Sequence, residues 1–169
     1  MRVGSVPGRS AARAVLVTGI AAATTAAAVP SAAATAAPGA AGGRNPCPTS
    51  YARIACVDLT AQQMWVQEYR RVTFGPIPVR TGRTGFATRR GLMFIYNRVP
   101  DQWSTLYDVA MPYSQFFSGG IAFHGITGSV YSAPGSHGCV NMRMTDARAL
   151  WNITRIGDPV YVFGRKPGT

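Results

Sequence analysis

Short β-prone runs separated by turn residues constrain the fold of this chain more than any other feature of its sequence. Each run is rich in β-branched or aromatic residues and is followed by turn-forming residues such as Gly, Pro, Thr or Asn. Pro76 and Pro78 restrict the segment after 71–74 to an edge strand or a bulge. The predicted strands are 54–59, 64–69, 71–74, 92–97, 107–111, 121–124 and 160–163. The sequence therefore predicts a mainly β domain with a mixed sheet.

Only one segment has convincing helical spacing. Residues 146–153 place Ala147, Leu150 and Trp151 on one face, and Thr145 in front of them offers an N-cap hydroxyl. We therefore expect one α-helix that packs its apolar face against the sheets.

The first 37 residues have the composition of a secretory signal peptide. Three arginines precede an apolar run at 14–28, and small residues at 32–37 offer a cleavage site of the Ala-x-Ala kind. An uncleaved membrane anchor would need about 20 apolar residues, and this run is too short and too rich in alanine. The sequence predicts secretion, with no stable membrane anchor after cleavage.

The rest of the chain divides into a linker and one domain. Residues 38–50 are rich in Pro and Gly and do not have the composition to bury a core. Apolar and aromatic residues become frequent from residue 51, so that 51–166 forms one domain with a modest core.

The charge of the chain indicates where it acts. The full sequence has 17 basic and 6 acidic residues, a net charge of +11, and 14 basic residues remain without the leader arginines. Outside a cell, a basic protein is attracted to anionic wall polymers or lipid headgroups more than to nucleic acid. No nucleic-acid partner is expected.

The three cysteines have different expected roles. Cys47 and Cys56 are nine positions apart and are candidates to form a disulfide in an oxidising compartment. Cys139 is then the odd thiol, which calls for either intermolecular pairing or reactivity. An inert, buried Cys139 fits poorly with its flanks, because residues 134–138 have the composition of an exposed loop.

Both histidines of the chain lie near Cys139. His124 ends an apolar run, and the Gly- and Pro-containing segment 125–135 allows the chain to fold back and bring Cys139 to the His124 ring. A neighbouring histidine lowers the pKa of a thiol from about 8.5 toward neutrality and makes it a nucleophile. We therefore expect His124 to be the general base and the Gly125 carbonyl to orient it, with His137 shaping or polarising the site.

Gly138 has a separate expected role. Because it lacks a side chain, the backbone can approach a reacting carbonyl and present the N–H groups of Gly138 and Cys139 to an oxyanion.

These residues resemble the signature of a known family. His124-Gly125 followed by the stretch 136–141, Ser-His-Gly-Cys-Val-Asn, is similar to the signature of the L,D-transpeptidase catalytic domain, the YkuD-type enzymes of bacterial cell walls. Further stretches resemble secreted actinobacterial members of this family, namely 56–59, 65–67, 75–79, 81–82 and 111–113. The resemblance implies a mixed β-sheet sandwich of the L,D-transpeptidase type with one packed α-helix.

The resemblance also implies a reaction. In this family a cysteine attacks peptidoglycan stem peptides at the bond between the diamino acid at position three and D-alanine at position four. The acyl group then passes to an amine of a neighbouring stem, which gives a 3-3 cross-link. Cys139 would be the nucleophile and His124 the acid and base, with no metal or organic cofactor. The residues expected to line the substrate and oxyanion pocket are Gly138, His137, Ser136, Asn141 and Tyr113.

The chain departs from the family pattern at two places. Many members carry Arg where this chain has Asn141, a variant also found in the family, so that capture of a substrate carboxylate by a guanidinium would come from Arg143 or elsewhere. A Thr-Pro-x-Gly turn of the family is replaced by Thr-Arg-Arg-Gly at 88–91, which loses a rigid φ angle.

Three other interpretations compete with a transpeptidase. An L,D-carboxypeptidase would let water resolve the same acyl-enzyme, and a non-catalytic wall-binding module would retain the fold alone. A zinc site at His124, His137 and Cys139 is disfavoured because only one residue separates the last two.

For Trp65, Trp103 and Trp151, core packing is a better expectation than glycan stacking, with Trp103 in the predicted loop 100–102 as the exception.

Overall fold

The computed structural model of the protein describes residues 46–169, which form nine strands and one helix. The predicted signal peptide and most of the predicted linker lie outside the described residues. The elements are β1 (Ile54–Asp58), β2 (Gln63–Glu68), β3 (Arg71–Pro78), β4 (Gly91–Phe94), β5 (Asn97–Ser104), β6 (Val109–Ser118), β7 (Ile121–Ile126), β8 (Val140–Arg143), α1 (Met144–Ile153) and β9 (Pro159–Phe163). No helix within this part of the chain combines the length and the apolar character needed to cross a membrane.

The strands form two mixed sheets. One sheet has the order β3-β2-β1-β9-β4 and the other has the order β5-β6-β7-β8. β1 and β9 pair in parallel, as do β7 and β8, while the remaining pairs are antiparallel. The prediction of a mainly β, mixed-sheet domain with one packed helix is confirmed.

The main core lies between the two sheets and under α1. It combines buried apolar residues of β1, β2 and β9 with those of β6, β7 and β8, and Ala147 and Leu150 of α1 close it. β1 alternates between two clusters, because Ala55 and Val57 face this core whereas Ile54 and Cys56 join a second one. A strand with one face in water alternates apolar and polar residues. β1 is instead a continuous run of apolar residues, because both of its faces are covered.

The second cluster ties the start of the described chain to the first sheet. Cys47 and Cys56 are joined in a disulfide with their Cα atoms 6.0 Å apart. Trp65 packs beside them and meets the ring of Phe163 edge to face at 5.9 Å. Residues 47–50, predicted to belong to the linker, therefore include a residue that is part of the folded domain.

Prolines lie in an edge strand of each sheet. β3 contains Pro76 and Pro78, lies at the edge of the first sheet and pairs with β2 through register shifts, as the sequence predicts. The predicted loop around Pro100, in contrast, is wrong, because Pro100 lies within β5. β5 is an edge strand of the second sheet, and an edge position tolerates a residue without an N–H donor.

Several predicted boundaries also differ from the structure; the strand predicted at 107–111, for example, is β6 at 109–118. The predicted strand 92–97 divides into β4 and the start of β5. The backbone N–H of Ile95 donates to the carbonyl of Asp158, next to β9 of the first sheet, whereas the N–H of Tyr96 donates to the carbonyl of Phe116 in the second sheet. The chain therefore passes from one sheet to the other at this point. The helix begins at Met144, and its N-cap is Arg143 in extended conformation, without a side-chain cap. The N-cap role predicted for Thr145 is wrong, since β8 runs directly into α1.

Gly125 allows α1 to pack closely on the second sheet. A Cβ atom at this position would lie 3.0 Å from Sδ of Met144 and 3.3 Å from Cβ of Ala147. The glycine of the His-Gly pair therefore has a packing role as well as its place beside His124.

Candidate active site

His124 is fixed in the middle of the second sheet. It lies on β7, and the parallel register with β8 places it opposite Asn141. The ring is almost completely buried, and Nδ1 lies 2.9 Å from the carbonyl oxygen of Gly125. A carbonyl only accepts hydrogen bonds, so Nδ1 donates to it and Nε2 remains as the basic nitrogen of the neutral ring.

The surroundings of His124 favour its neutral form. Burial lowers the pKa of His124, and the nearby charge of Arg80 lowers it further, against the opposing effects of the Gly125 carbonyl and the Asn141 side chain. The Asn141 amide approaches the ring without a hydrogen bond of normal geometry, since its Oδ1 atom is buried and has no partner among the described residues. At neutral pH the imidazole is therefore uncharged and able to accept a proton.

Cys139 lies at the end of the loop that joins β7 to β8. Its side chain is half-buried and unpaired among the described cysteines, with Sγ 3.7 Å from the carbonyl oxygen of Gly120. Burial raises the pKa of the Cys139 thiol, against a smaller opposite effect of a hydrogen bond with the backbone of Ala122. The sequence led us to expect a lowered thiol pKa. The structure instead favours a neutral thiol facing the same cavity as a neutral imidazole.

The loop that carries Cys139 is held by hydrogen bonds of its own. The Ser136 hydroxyl donates to the carbonyl of Cys139 at 2.6 Å and accepts the N–H of Gly138 at 3.1 Å. Gly138 adopts a φ of +111°, a conformation that favours glycine. Its N–H is thus engaged by Ser136 and is not free for a substrate, in contrast to the oxyanion role expected from the sequence.

A segment distant in the sequence supports this loop from outside. The buried Thr88 hydroxyl donates to the carbonyl of Gly138 at 2.8 Å and accepts the N–H of Gly82 at 3.0 Å. Residues 82 and 136 form an isolated parallel bridge. A Cβ atom at Gly82 would meet the Phe86 carbonyl at 2.0 Å, so this position requires glycine.

His137 is held between aromatic rings. It stacks on Tyr107 with centroids 3.9 Å apart, and Phe86 contacts it edge-on at 4.7 Å. A guanidinium N–H of Arg83 donates to Nε2 of His137 at 2.5 Å. Loss of solvent and the charge of Arg83 lower the pKa of His137, so the ring serves as a neutral wall of the site.

A cavity of about 690 Å³ brings most of the predicted residues together. His124, Cys139, Ser136, His137, Asn141 and Gly125 all line it. Tyr113 does not, because its ring packs on the core and lies 6.0 Å from that of Trp151. Gly138 shapes the backbone beside the cavity without lining it.

Sequence reasoning missed the opposite walls. The β5–β6 hairpin supplies Trp103, Tyr107 and Met111, and Arg80 closes the cavity from the segment after β3. The stretch 81–82, noted above as part of the family resemblance, was the only signal for that segment. Among the described residues, no group of three or more His, Cys, Asp or Glu side chains is arranged to hold a metal ion.

Comparisons with known proteins agree with this fold. The family model for the L,D-transpeptidase catalytic domain, YkuD, matches residues 52–162. No curated protein matches the chain significantly.

Among solved structures, an L,D-transpeptidase from Stackebrandtia nassauensis is 42% identical with a TM-score of 0.67, and the match covers 69% of this chain and 58% of that one. One from Xylanimonas cellulosilytica is 27% identical with a TM-score of 0.60, over 68% and 61% of the two chains. One from Mycobacterium smegmatis is 22% identical with a TM-score of 0.60, over 66% and 58%, and shows similarity of fold alone.

The match thus spans about 58% of the length of the Stackebrandtia protein. The family model covers well over half of the present chain, including both histidines and Cys139. The resemblance inferred from the sequence is confirmed, and the chain belongs to the YkuD family of L,D-transpeptidase catalytic domains.

Proposed function

We propose that the protein is a secreted L,D-transpeptidase that uses Cys139 to form 3-3 cross-links between peptidoglycan stem peptides. The observation that carries this proposal is that Cys139 and His124 line one cavity, with Nδ1 of His124 held on the Gly125 carbonyl. Family membership and the basic charge of the chain support a substrate in the cell wall. The proposed domain is 51–166, after a signal peptide at 1–37 and a linker at 38–50 whose Cys47 is fastened to the domain by the disulfide.

Acylation would proceed by general base catalysis. Nε2 of His124 takes the thiol proton as Sγ of Cys139 bonds to the carbonyl carbon of the diamino acid at position three. The N–H of Cys139 stabilises the oxyanion, since that of Gly138 is bound to Ser136. The intermediate collapses when the C–N bond breaks and His124 returns the proton to the nitrogen of the leaving D-alanine.

Transfer would use the same two residues in the reverse order. The side-chain amine of a second stem attacks the thioester carbonyl, His124 takes a proton from the amine, and Cys139 leaves as the thiol. Water in place of the amine would give an L,D-carboxypeptidase. Thiol and imidazole supply all of these steps, so the proposal includes no cofactor.

Product analysis tests the proposal directly. The secreted chain is incubated with a disaccharide-tetrapeptide, and the products are identified by mass spectrometry. We expect a cross-linked dimer and free D-alanine, and we expect Cys139→Ala to form neither. A carbapenem should add mass to the wild-type chain at Cys139 and not to the variant.

Each other product pattern would contradict the proposal in a defined way. Tripeptide and D-alanine without dimer would identify a carboxypeptidase. Recovery of unchanged tetrapeptide, together with binding to isolated wall, would identify a non-catalytic module. Product formation by Cys139→Ala at the wild-type rate would overturn the assignment of the nucleophile.

A further inference from the structure

Arg80 is held directly beside β8, the strand that follows Cys139. Its N–H donates to the carbonyl of Asn141 at 2.9 Å, and its carbonyl accepts the N–H of Asn141 at 3.0 Å. These two bonds form an isolated antiparallel bridge, which fixes Arg80 opposite a residue two positions after Cys139. The backbone of Arg80 is thus held to the strand that follows Cys139.

Within residues 46–169, the guanidinium of Arg80 has incomplete hydrogen bonding and no acidic partner. Nη1 donates to the Ser132 hydroxyl at 2.7 Å, but Nε is buried and has no hydrogen-bond partner among the described residues. The ion pairs within residues 46–169 use Arg53 and Arg143 and none includes Arg80. The guanidinium charge of Arg80 thus has no counter-charge within the described residues, and a bound molecule can supply one.

Arg80 lies between two clefts. It lines the catalytic cavity and also a second cleft of about 600 Å³, which Ser132 and Lys166 line as well. Its charge is felt on both sides, because it lowers the pKa of both His124 and Lys166. An unneutralised cation at this junction favours a negatively charged group of a bound molecule.

Arg143, which the sequence suggested for binding a substrate carboxylate, is not a cation without a counter-charge. Nε of Arg143 lies 2.7 Å from a carboxylate oxygen of Asp146, so its guanidinium is paired within the chain. It is also absent from the lining of the catalytic cavity. Arg80, in contrast, lines that cavity and is bridged through its backbone to Asn141, which lines it too.

We propose that Arg80 is the residue that binds a carboxylate of the donor stem peptide and makes the enzyme selective for donors in which that carboxylate is free. This inference rests on the proposed function. A guanidinium is planar, and its two Nη groups can bind the two oxygens of a carboxylate. Two carboxylates of a tetrapeptide lie near the scissile bond, the C-terminal carboxylate of D-alanine and the side-chain carboxylate of a diaminopimelate at position three.

Three synthetic donors test the inference and distinguish the two sources. The first is a disaccharide-tetrapeptide with diaminopimelate, the second has a C-terminal D-alaninamide, and the third has the diaminopimelate side chain as its amide. The readout is kcat/KM for acylation of Cys139, followed by mass spectrometry. We expect the wild-type chain to lose about 10- to 100-fold on one amidated donor and little on the other.

Two variants show which arginine causes the difference in kcat/KM between the free and the amidated donors. Arg80→Gln should acylate with the free and the amidated donor at nearly equal kcat/KM, whereas the matched control Arg143→Gln should discriminate like the wild-type chain. Alkylation of Cys139 by iodoacetamide, which has no carboxylate, shows that each variant retains its site. Loss of discrimination in Arg143→Gln with its retention in Arg80→Gln would overturn the assignment.

The comparison on the wild-type chain alone also decides the matter. Equal acylation by all three donors would overturn the role of Arg80 and leave the transpeptidase proposal intact. Absence of any acyl adduct, while iodoacetamide still modifies Cys139, would overturn the proposed function and this inference with it.

Discussion

At the scale of single residues, the chemistry of the site depends on two groups that both favour their neutral forms. Burial raises the pKa of the Cys139 thiol and lowers the pKa of His124. With the pKa of Cys139 raised and that of His124 lowered, a neutral thiol and imidazole are favoured over a thiolate–imidazolium pair at pH 7. In the proposed mechanism the proton therefore moves from sulfur to nitrogen during attack on the substrate, and reactivity toward small electrophiles should be modest at rest.

The pH dependence of alkylation tests this pairing. Iodoacetamide reacts with the thiolate, and a raised pKa makes the thiolate fraction of Cys139 at pH 7 smaller than that of an ordinary cysteine, whose pKa is about 8.5. We expect the rate constant at Cys139 to rise with pH through the range above 8.5. Peptide mapping by mass spectrometry gives the rate, with a short cysteine peptide as the reference. A rate constant that stays flat from pH 5 to 8 would show a preformed ion pair and contradict the neutral one.

At the scale of secondary-structure elements, the contact between α1 and β7 links stability to the site. Gly125 leaves no room for a Cβ atom beside Met144 and Ala147 of α1, and its carbonyl also holds Nδ1 of His124. A side chain at this position would push Met144 and Ala147 away from β7. The same displacement would move the carbonyl that orients the base.

Gly125→Ala should therefore lower both stability and activity. We expect a loss of about 1–3 kcal/mol in the free energy of unfolding, measured with urea, because the added methyl group overpacks a closed contact. The acylation rate with a tetrapeptide should fall as well. Gly128→Ala is the matched control for stability, since a Cβ atom there meets nothing within 4 Å, and it should change the free energy of unfolding by less than about 1 kcal/mol. Equal stability of the two variants would contradict the packing role.

The local elements were largely predictable from the sequence, and the assembly of the cavity was not. Periodicity and turn residues predicted most strands, and the spacing of His124 and Cys139 predicted that they would meet. Pro100 misled because a proline in an edge strand has the same local signal as a proline in a loop. Arg80 and Tyr107 enter the cavity through pairing between segments far apart in the chain, which no local pattern encodes.

At the scale of the whole domain, the catalytic cavity and the disulfide belong to different parts of the structure. The cavity is built mainly from β6, β7, the loop before β8 and the β5–β6 hairpin. Cys47 and Cys56 belong instead to the small cluster with Trp65 on the first sheet. The disulfide should therefore stabilise the fold without shaping the reacting groups.

Replacing both cysteines separates these two contributions. In the chain-entropy model, a cross-link that closes a loop this short stabilises a protein by about 2–3 kcal/mol. We expect Cys47→Ala combined with Cys56→Ala to lose about that much free energy of unfolding in urea, while the rate of Cys139 acylation under native conditions stays near that of the wild-type chain. Cys139→Ala, which keeps the disulfide, is the stability control and should lose less than about 1 kcal/mol, because its side chain is only half-buried. A double variant as stable as the wild-type chain would show that packing alone, without the disulfide, holds the second cluster on the first sheet. A double variant that loses acylation as well as stability would show that this cluster also positions the site.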